Sequence, residues 1–211
     1  MSLFKDLRFM DAALALARSG LGRTAPNPSV GCIIVNSGEI VGAARTADRG
    51  RPHAETQALA IAGQAASGAC AYVTLEPCAH VGQTPPCSEA LIAAGIARCV
   101  VALVDPDPRT SGQGLARLEA AGVEVVSGIR ETEARAINSG FLYRLKTGQA
   151  LAIIDDNPVG YDLAVETFEQ DDPAAALKTL AEAGVLRVRL VPNSPAAKAA
   201  QAAGLTAPHY P

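Results

Sequence analysis

The sequence predicts an α/β chain in which a mixed sheet lies between helices on both faces, followed by a small C-terminal α/β appendage. Three observations predict it. Strand-like and helix-forming segments alternate from residue 69 to residue 126, which is the pattern of strands joined by crossover helices. Two strand-like runs, 30–35 and 39–44, are separated by Ser37-Gly38, a two-residue link suited to an antiparallel hairpin. After Thr147-Gly148 the pattern changes to short strands, a polar stretch and Ala-rich segments. The boundary is therefore set there, with one domain over residues 1–147 and an appendage over 148–211.

The elements follow in order. Residues 7–19 carry Leu7, Met10, Ala13, Leu14 and Ala17 at the spacing of one buried helical face, and Gly20 and Gly22 end it. Pro52 precedes a helix-forming stretch over 53–62, and proline is tolerated in a first turn. A strand over 69–75, a helix over 88–94, a strand over 98–104, a helix over 114–121 and a strand over 123–126 complete the alternation. A closing helix is expected over 131–145. The appendage reads as a strand 151–154, an irregular polar stretch, a helix 173–183, a strand 185–191 and a short helix 196–203.

A chain of 211 residues accommodates one domain of ordinary size and a small remainder, not two large domains. Hydrophobic residues at 49% and charged residues at 18% supply a core and exclude global disorder. Aromatic residues are only 4%, so Ala, Val, Ile and Leu must build that core. The net charge of −3 comes without a basic run, which argues against a nucleic-acid partner. No stretch approaches the ~20 apolar residues that span a bilayer. Lys5, Asp6 and Arg8 also interrupt any apolar leader at the N-terminus. The expectation is a cytoplasmic protein with no membrane partner.

Five cysteines make an odd count, which opposes a disulfide framework. Cys32, Cys70 and Cys99 lie in or beside apolar strand-like segments and read as small buried side chains. Cys78 and Cys87 differ, because each follows a proline in turn-like sequence. Together with His53 they offer three good zinc ligands, and Glu55 lies two residues beyond the histidine. A structural zinc site is usually closed by four protein ligands, whereas three leave a position for water. His53 and Cys87 each open a predicted helix, where the positive helix end favours a thiolate. Glu55 is close enough to take a proton from a water at the open position and to return it to departing ammonia.

The plainer readings are that a lone His before a helix caps it and that a lone Cys is core. His-Ala-Glu by itself would be unremarkable. Its combination with Pro77-Cys78 and Cys87, each placed by the same strand and helix pattern, is much harder to attribute to chance. His80 is a rival ligand, and its place between the two cysteines favours a position on the substrate pocket instead.

His-x-Glu followed by Pro-Cys is the signature of zinc deaminases, in which the Glu is the acid/base and not a ligand. The second half here is longer. Thr74-Leu75-Glu76-Pro77-Cys78-Ala79-His80-Val81-Gly82-Gln83-Thr84-Pro85-Pro86-Cys87 resembles the deaminase half of the bifunctional riboflavin-biosynthesis deaminase/reductases. Further matches are Thr24 to Gly31, Asp105-Pro106-Asp107-Pro108 with Gly112 and Gly114, and Asn138 with Phe141 and Arg144. The resemblance covers about two thirds of the chain and implies the three-layer cytidine deaminase-like fold. It also implies one Zn2+ per chain and a diaminopyrimidinone substrate carrying a phosphoribosylamino group. In that family Asn27, His80, Asp105 and the residue at 107, here Asp107, would line the pocket around the base. Such folds commonly self-associate, so a homodimer or larger is expected.

Three positions depart from the family pattern. Gln83 stands where Lys or Arg is usual, Asp107 replaces a common Asn, and Arg45 occupies a place where an aromatic or His is frequent. The missing cation at Gln83, a substrate-binding position, removes a charge-assisted contact to a phosphate, for which Arg45, Arg49, Arg51 or Arg109 could compensate. A related deaminase of a free base, nucleoside or pterin-like ring is the alternative that this departure favours. A non-catalytic zinc-stabilised scaffold would require loss of Glu55 or a ligand, and all four residues are present.

Relatives of this type carry a reductase domain after the deaminase. Here residues 176–191 resemble only a late helix and strand of that reductase, followed by Pro192-Asn193-Ser194-Pro195 where relatives have adjacent glycines. Proline removes a donor and restricts the turn, so NADPH is not expected as a cofactor. The appendage reads as a shortened, catalytically inactive reductase remnant, and a separate reductase is a candidate partner.

Overall fold

The computed structural model describes residues 3–80, 85–107 and 111–207. Its first sheet has five strands: β1 (Gly31–Asn36), β2 (Glu39–Arg45), β3 (Cys70–Val73), β4 (Arg98–Val101) and β5 (Glu124–Ser127). Their order is β2-β1-β3-β4-β5. β1 is antiparallel to both β2 and β3, while β3, β4 and β5 are parallel. The mixed character follows from the connections. Ser37 and Gly38 both have positive φ, 52° and 88°, as a tight hairpin turn requires. The parallel strands are instead joined through α3 (Cys87–Ala93) and α4 (Gln113–Ala120), because parallel neighbours need a crossover.

Helix α1 (Leu3–Ser19) packs on β1 and β3 and against α5 (Glu131–Ile137). Helix α2 (Ala54–Ala62) packs on β1 and β2 and against α3, which in turn meets α4. The sheet thus lies between two helical layers, as expected. Gly42 in β2 explains how closely α2 seats, since a Cβ there would meet the Ala58 carbonyl oxygen at 2.2 Å. The core is aliphatic, with Met10, Leu14, Ile33, Ile34, Leu91 and Leu103 fully buried, and Tyr72 is its largest member.

The second sheet orders its strands β6 (Leu151–Ile154), β8 (Arg187–Leu190) and β7 (Leu163–Val165), all parallel. With α7 (Pro173–Glu182) and α8 (Pro195–Ala202) it encloses a separate small core around Leu177, Val188 and Leu190. The joint with the first unit is tight. Gly140, in α6 (Ser139–Thr147), lies so close to β8 that a Cβ would meet Arg187 Cγ at 2.5 Å and the Leu186 carbonyl oxygen at 2.9 Å.

Three local expectations are corrected. The single helix over 131–145 is two helices, α5 and α6, broken at Asn138. The buried Asn138 amide donates to the Ala134 carbonyl at 3.1 Å, the kind of side-chain bond that competes with the helical ladder. The stretch read as irregular holds β7, which is mostly exposed and exists through its pairing to β8. On α1 the buried face includes Asp6 and Phe9, while Leu7 is half-buried.

Asp6 is only 4% exposed, and its charge is fully partnered. Arg98 grips it with two nitrogens at 2.8 and 3.0 Å, and the Tyr72 hydroxyl donates at 2.8 Å. Burial alone would push this carboxyl up, but the bonds from Arg98 and Tyr72 prevail and hold it below its ordinary value. A folded-state value below the unfolded one stabilises the fold above the unfolded pKa, ~3.9, and that contribution is lost as pH falls through the folded value. Asp6→Ala should destabilise the chain by about 3 kcal/mol, because it leaves Arg98 with only the exposed Glu124 as a carboxylate partner among the described residues and removes an acceptor of the buried Tyr72 hydroxyl. Asp6→Asn should flatten the loss of stability below about pH 4, and urea unfolding across that pH range measures both.

Candidate active site

His53 is not in the helix it was expected to open. It occupies the N-cap of α2 in extended backbone, φ −69° and ψ 160°. Gln57, one turn into α2, donates to the carbonyls of Arg45, Pro52 and His53 at 2.7, 3.0 and 3.3 Å. That one amide ties the end of β2 to the start of α2 and so fixes the segment bearing His53. Glu55, in the first turn of α2, is buried at 4% exposure.

Cys78 follows β3, and Cys87 is the first residue of α3. The start of α3 clamps Cys78: the Cys87 backbone N–H donates to the Cys78 sulfur at 3.3 Å. The Ser88 N–H and hydroxyl both donate to the Cys78 carbonyl, at 3.3 and 3.0 Å. The helix end that was expected to support a thiolate at Cys87 instead supports the Cys78 sulfur, through a specific hydrogen bond.

The three ligand atoms converge. His53 Nδ1 lies 3.3 Å from Cys87 Sγ and 3.9 Å from Cys78 Sγ, and all three lie within 4.8 Å of one another. Bonds of about 2.0 Å to nitrogen and 2.3 Å to sulfur around a tetrahedral zinc place such atoms about 3.5–3.8 Å apart, so this donor set fits the ion. Among the described residues no fourth His, Cys, Asp or Glu joins the group, and His80 stands outside it.

The electrostatics suit a soft cation. Hydrogen bonding from Cys87 first, and then from His53, lowers the Cys78 thiol to about 4. Cys87 moves upward, because the two sulfurs share a proton and Cys87 is buried. His53 is raised by its hydrogen bond to Cys78. Burial pushes the Glu55 carboxyl up from the usual carboxylate range, against the opposing pull of His53, the direction useful in a group that must both accept and release a proton.

His53, Glu55 and Cys78 line a cavity of about 120 Å³ together with Asn27, His80, Asp105 and Asp107. The sequence-expected residues thus come together, apart from Gln83, which lies outside the described residues, as does Arg109. The Asn27 amide donates to the Gly50 carbonyl at 2.8 Å, fixing that side chain at the wall. Asp105 Oδ1 accepts from the Asp107 N–H at 2.9 Å. Of the arginines considered as substitutes for a cation at 83, Arg51 lines the cavity, while Arg45 is paired with Asp48 at 2.8 Å.

Two residues were missed as site residues. Arg144 lines the cavity, and only its place in the longer motif pointed to it. Glu76 is buried, and its carboxylate accepts backbone N–H bonds from Asp105 at 3.2 Å, Gly112 at 2.9 Å and Gly114 at 2.9 Å. It thereby ties the metal-bearing loop after β3 to the pocket loop after β4. An acidic residue beside Pro77-Cys78 was the available signal, but its partners lie 29 to 38 residues away in sequence.

Three protein ligands, a buried carboxylate beside them and a small polar cavity on a cytidine deaminase-like fold define a zinc-dependent hydrolytic deaminase. Residues 4–103 match the family described as "Cytidine and deoxycytidylate deaminase zinc-binding region". The diaminohydroxyphosphoribosylamino-pyrimidine deaminase of Buchnera aphidicola subsp. Acyrthosiphon pisum is 47% identical over 143 residues, 68% of this chain and 97% of that protein. The riboflavin biosynthesis protein RibD of Escherichia coli K12 is 54% identical over 144 residues, 68% of this chain and 39% of that protein. The chain belongs to the RibD-type diaminohydroxyphosphoribosylaminopyrimidine deaminase family, and it spans about two fifths of the length of the longer curated relatives. The fold likeness reaches further. A diaminohydroxyphosphoribosylaminopyrimidine deaminase/5-amino-6-(5-phosphoribosylamino)uracil reductase from Thermotoga maritima superposes with a TM-score of 0.83 at 22% identity, over 95% of this chain and 84% of that one.

Two outcomes follow for the metal and its scaffold. Glu55→Gln should bind zinc at the same stoichiometry as the unsubstituted chain, whereas Cys87→Ala should lose it; metal analysis after gel filtration distinguishes the two. Glu76→Ala strands several buried N–H donors and should cost about 3 kcal/mol, readable by chemical denaturation.

Proposed function

We propose that this chain deaminates 2,5-diamino-6-(5-phosphoribosylamino)pyrimidin-4(3H)-one to 5-amino-6-(5-phosphoribosylamino)uracil and ammonia, in riboflavin biosynthesis. The observation that carries the reading is the placement of Glu55 in one cavity with the His53, Cys78 and Cys87 cluster. The Buchnera relative, matched over nearly its whole length, carries that activity in its name. A ring rich in amino donors also suits a wall bearing Asp105 and Asp107.

His53, Cys78 and Cys87 would hold zinc, which supplies the Lewis acidity that lets water attack near neutral pH. Glu55 removes a proton from the attacking water as the new C–O bond forms at the amine-bearing carbon. It then passes that proton to the departing nitrogen as the C–N bond breaks, so water is consumed and ammonia is released. Asn27 and His80 hold the base, and Asp105 and Asp107 orient its amino groups. Burial of Glu55 keeps bulk water from competing for this proton.

In this reading residues 1–147 are the deaminase domain, and residues 148–211 are a shortened reductase-like unit without reductase activity. The turn before α8 supports the second part: Ser194 caps the helix by accepting from the Ala197 N–H, and Pro195 occupies its first turn. A cofactor phosphate would find those donors used or missing. The five free cysteines suit a reducing cytoplasm, and exposed apolar side chains such as Phe4 and Ile61 offer surface for self-association.

The zinc-loaded chain should release ammonia from the phosphoribosylated pyrimidine, and Glu55→Gln should slow this by about 10²–10⁴-fold. Absence of ammonia release from the unsubstituted chain overturns the assignment. NADPH should show no saturable binding in calorimetric titration.

A further inference from the structure

The ring of the proposed substrate has a cavity, but the chain that hangs from it needs a route out. Two residues of the cavity wall, Pro26 and Arg144, also line a second, open groove. The far side of that groove is built by the appendage, from Ala181, Glu182, Ala183 and Gly184 at the end of α7. The doorway between cavity and groove is therefore framed by one proline and one arginine. Pro26 is held from the appendage side, where a Cβ on Gly184 would lie 3.0 Å from Pro26 Cβ. Arg144 stands on α6, the helix whose Gly140 seats against β8.

Six other arginines, Arg23, Arg45, Arg98, Arg117, Arg130 and Arg135, each form an ion pair with a carboxylate. The half-buried Arg144 guanidinium has no hydrogen-bond or ion-pair partner among the described residues, although it lines the cavity that holds Glu55. A half-buried guanidinium whose donors are not taken by a carboxylate is placed to accept an anionic ligand. Carboxylates stand on both sides of the doorway, Asp105 and Asp107 in the cavity and Glu182 with the negative C-terminal end of α7 beyond it. An anion is attracted to Arg144 between them and repelled further out.

We propose that Arg144 is the specificity-determining anion contact of this deaminase, binding the phosphate of the substrate at the doorway, with the appendage setting the position and the outer limit of that subsite. This rests on the substrate reading above. A guanidinium matches phosphate oxygens in bidentate fashion, which would replace the cation absent at Gln83. The appendage would then take part in substrate selection without contributing a reductase activity.

The test compares phosphorylated and dephosphorylated pyrimidine on the zinc-loaded full chain, with ribose 5-phosphate binding measured separately by calorimetry. Arg144→Gln should reduce the kcat/KM preference for the phosphorylated substrate by about 10- to 100-fold, as loss of a charged hydrogen bond does. It should weaken ribose 5-phosphate binding in parallel, and Arg144→Lys should restore part of both. Glu182→Gln, at an exposed position of the appendage, should shift the preference the other way, by about 2- to 5-fold. An unchanged preference in Arg144→Gln, with ammonia still released, overturns the subsite and leaves the deaminase reading standing. If neither pyrimidine is deaminated, the substrate reading falls. The subsite is then judged on ribose 5-phosphate alone, and equal binding by the unsubstituted chain and Arg144→Gln overturns it.

Discussion

One imidazole nitrogen and two sulfurs must meet within 4.8 Å although they come from three separate segments, and most of the surrounding architecture serves that convergence. Each segment is held by a local device. Gln57 fixes the backbone around His53 through three carbonyls. The first turn of α3 fixes Cys78 through the Cys87 and Ser88 donors. The sheet supplies the common frame, because α2 is seated on β2 at Gly42 and α3 packs against α2. A shift of α2 on its strand would move His53 and Glu55 together, away from the sulfur of Cys78 after β3 and that of Cys87 at the start of α3.

Around this centre, polar groups are placed where their hydrogen bonds are most fully used. Glu76 accepts from backbone donors of Asp105, Gly112 and Gly114 and so shapes the pocket. Glu55 is a buried carboxylate of the same length, yet burial raises its affinity for a proton. The difference lies in their partners: Glu76 accepts several backbone N–H bonds, whereas Glu55 is buried beside His53, Cys78 and Cys87. Two acidic residues at one site thus meet different environments.

The appendage is more than a tail, since it carries its own parallel sheet and core and meets α6 by backbone-close packing at Gly140. Its likeness in fold to the Thermotoga maritima deaminase/reductase extends over 95% of the chain, and Ser194 and Pro195 shape the turn that opens α8. Such a unit retains packing that supports its neighbour.

The candidate site was legible in the order of residues along the chain. His53, Glu55, Cys78 and Cys87 are recognisable because metal ligation and proton transfer demand particular side chains, and the strand and helix periodicities that frame them are local properties of the chain. Tertiary structure decided what depends on contacts distant in sequence. The break at Asn138, strand β7, the burial of Asp6 through Arg98 and the work of Glu76 all rest on partners that no spacing reveals. The same holds for Arg144, which looks like an ordinary helical arginine until the fold sets it between two cavities, because a long side chain takes its meaning from the space that other segments leave around it.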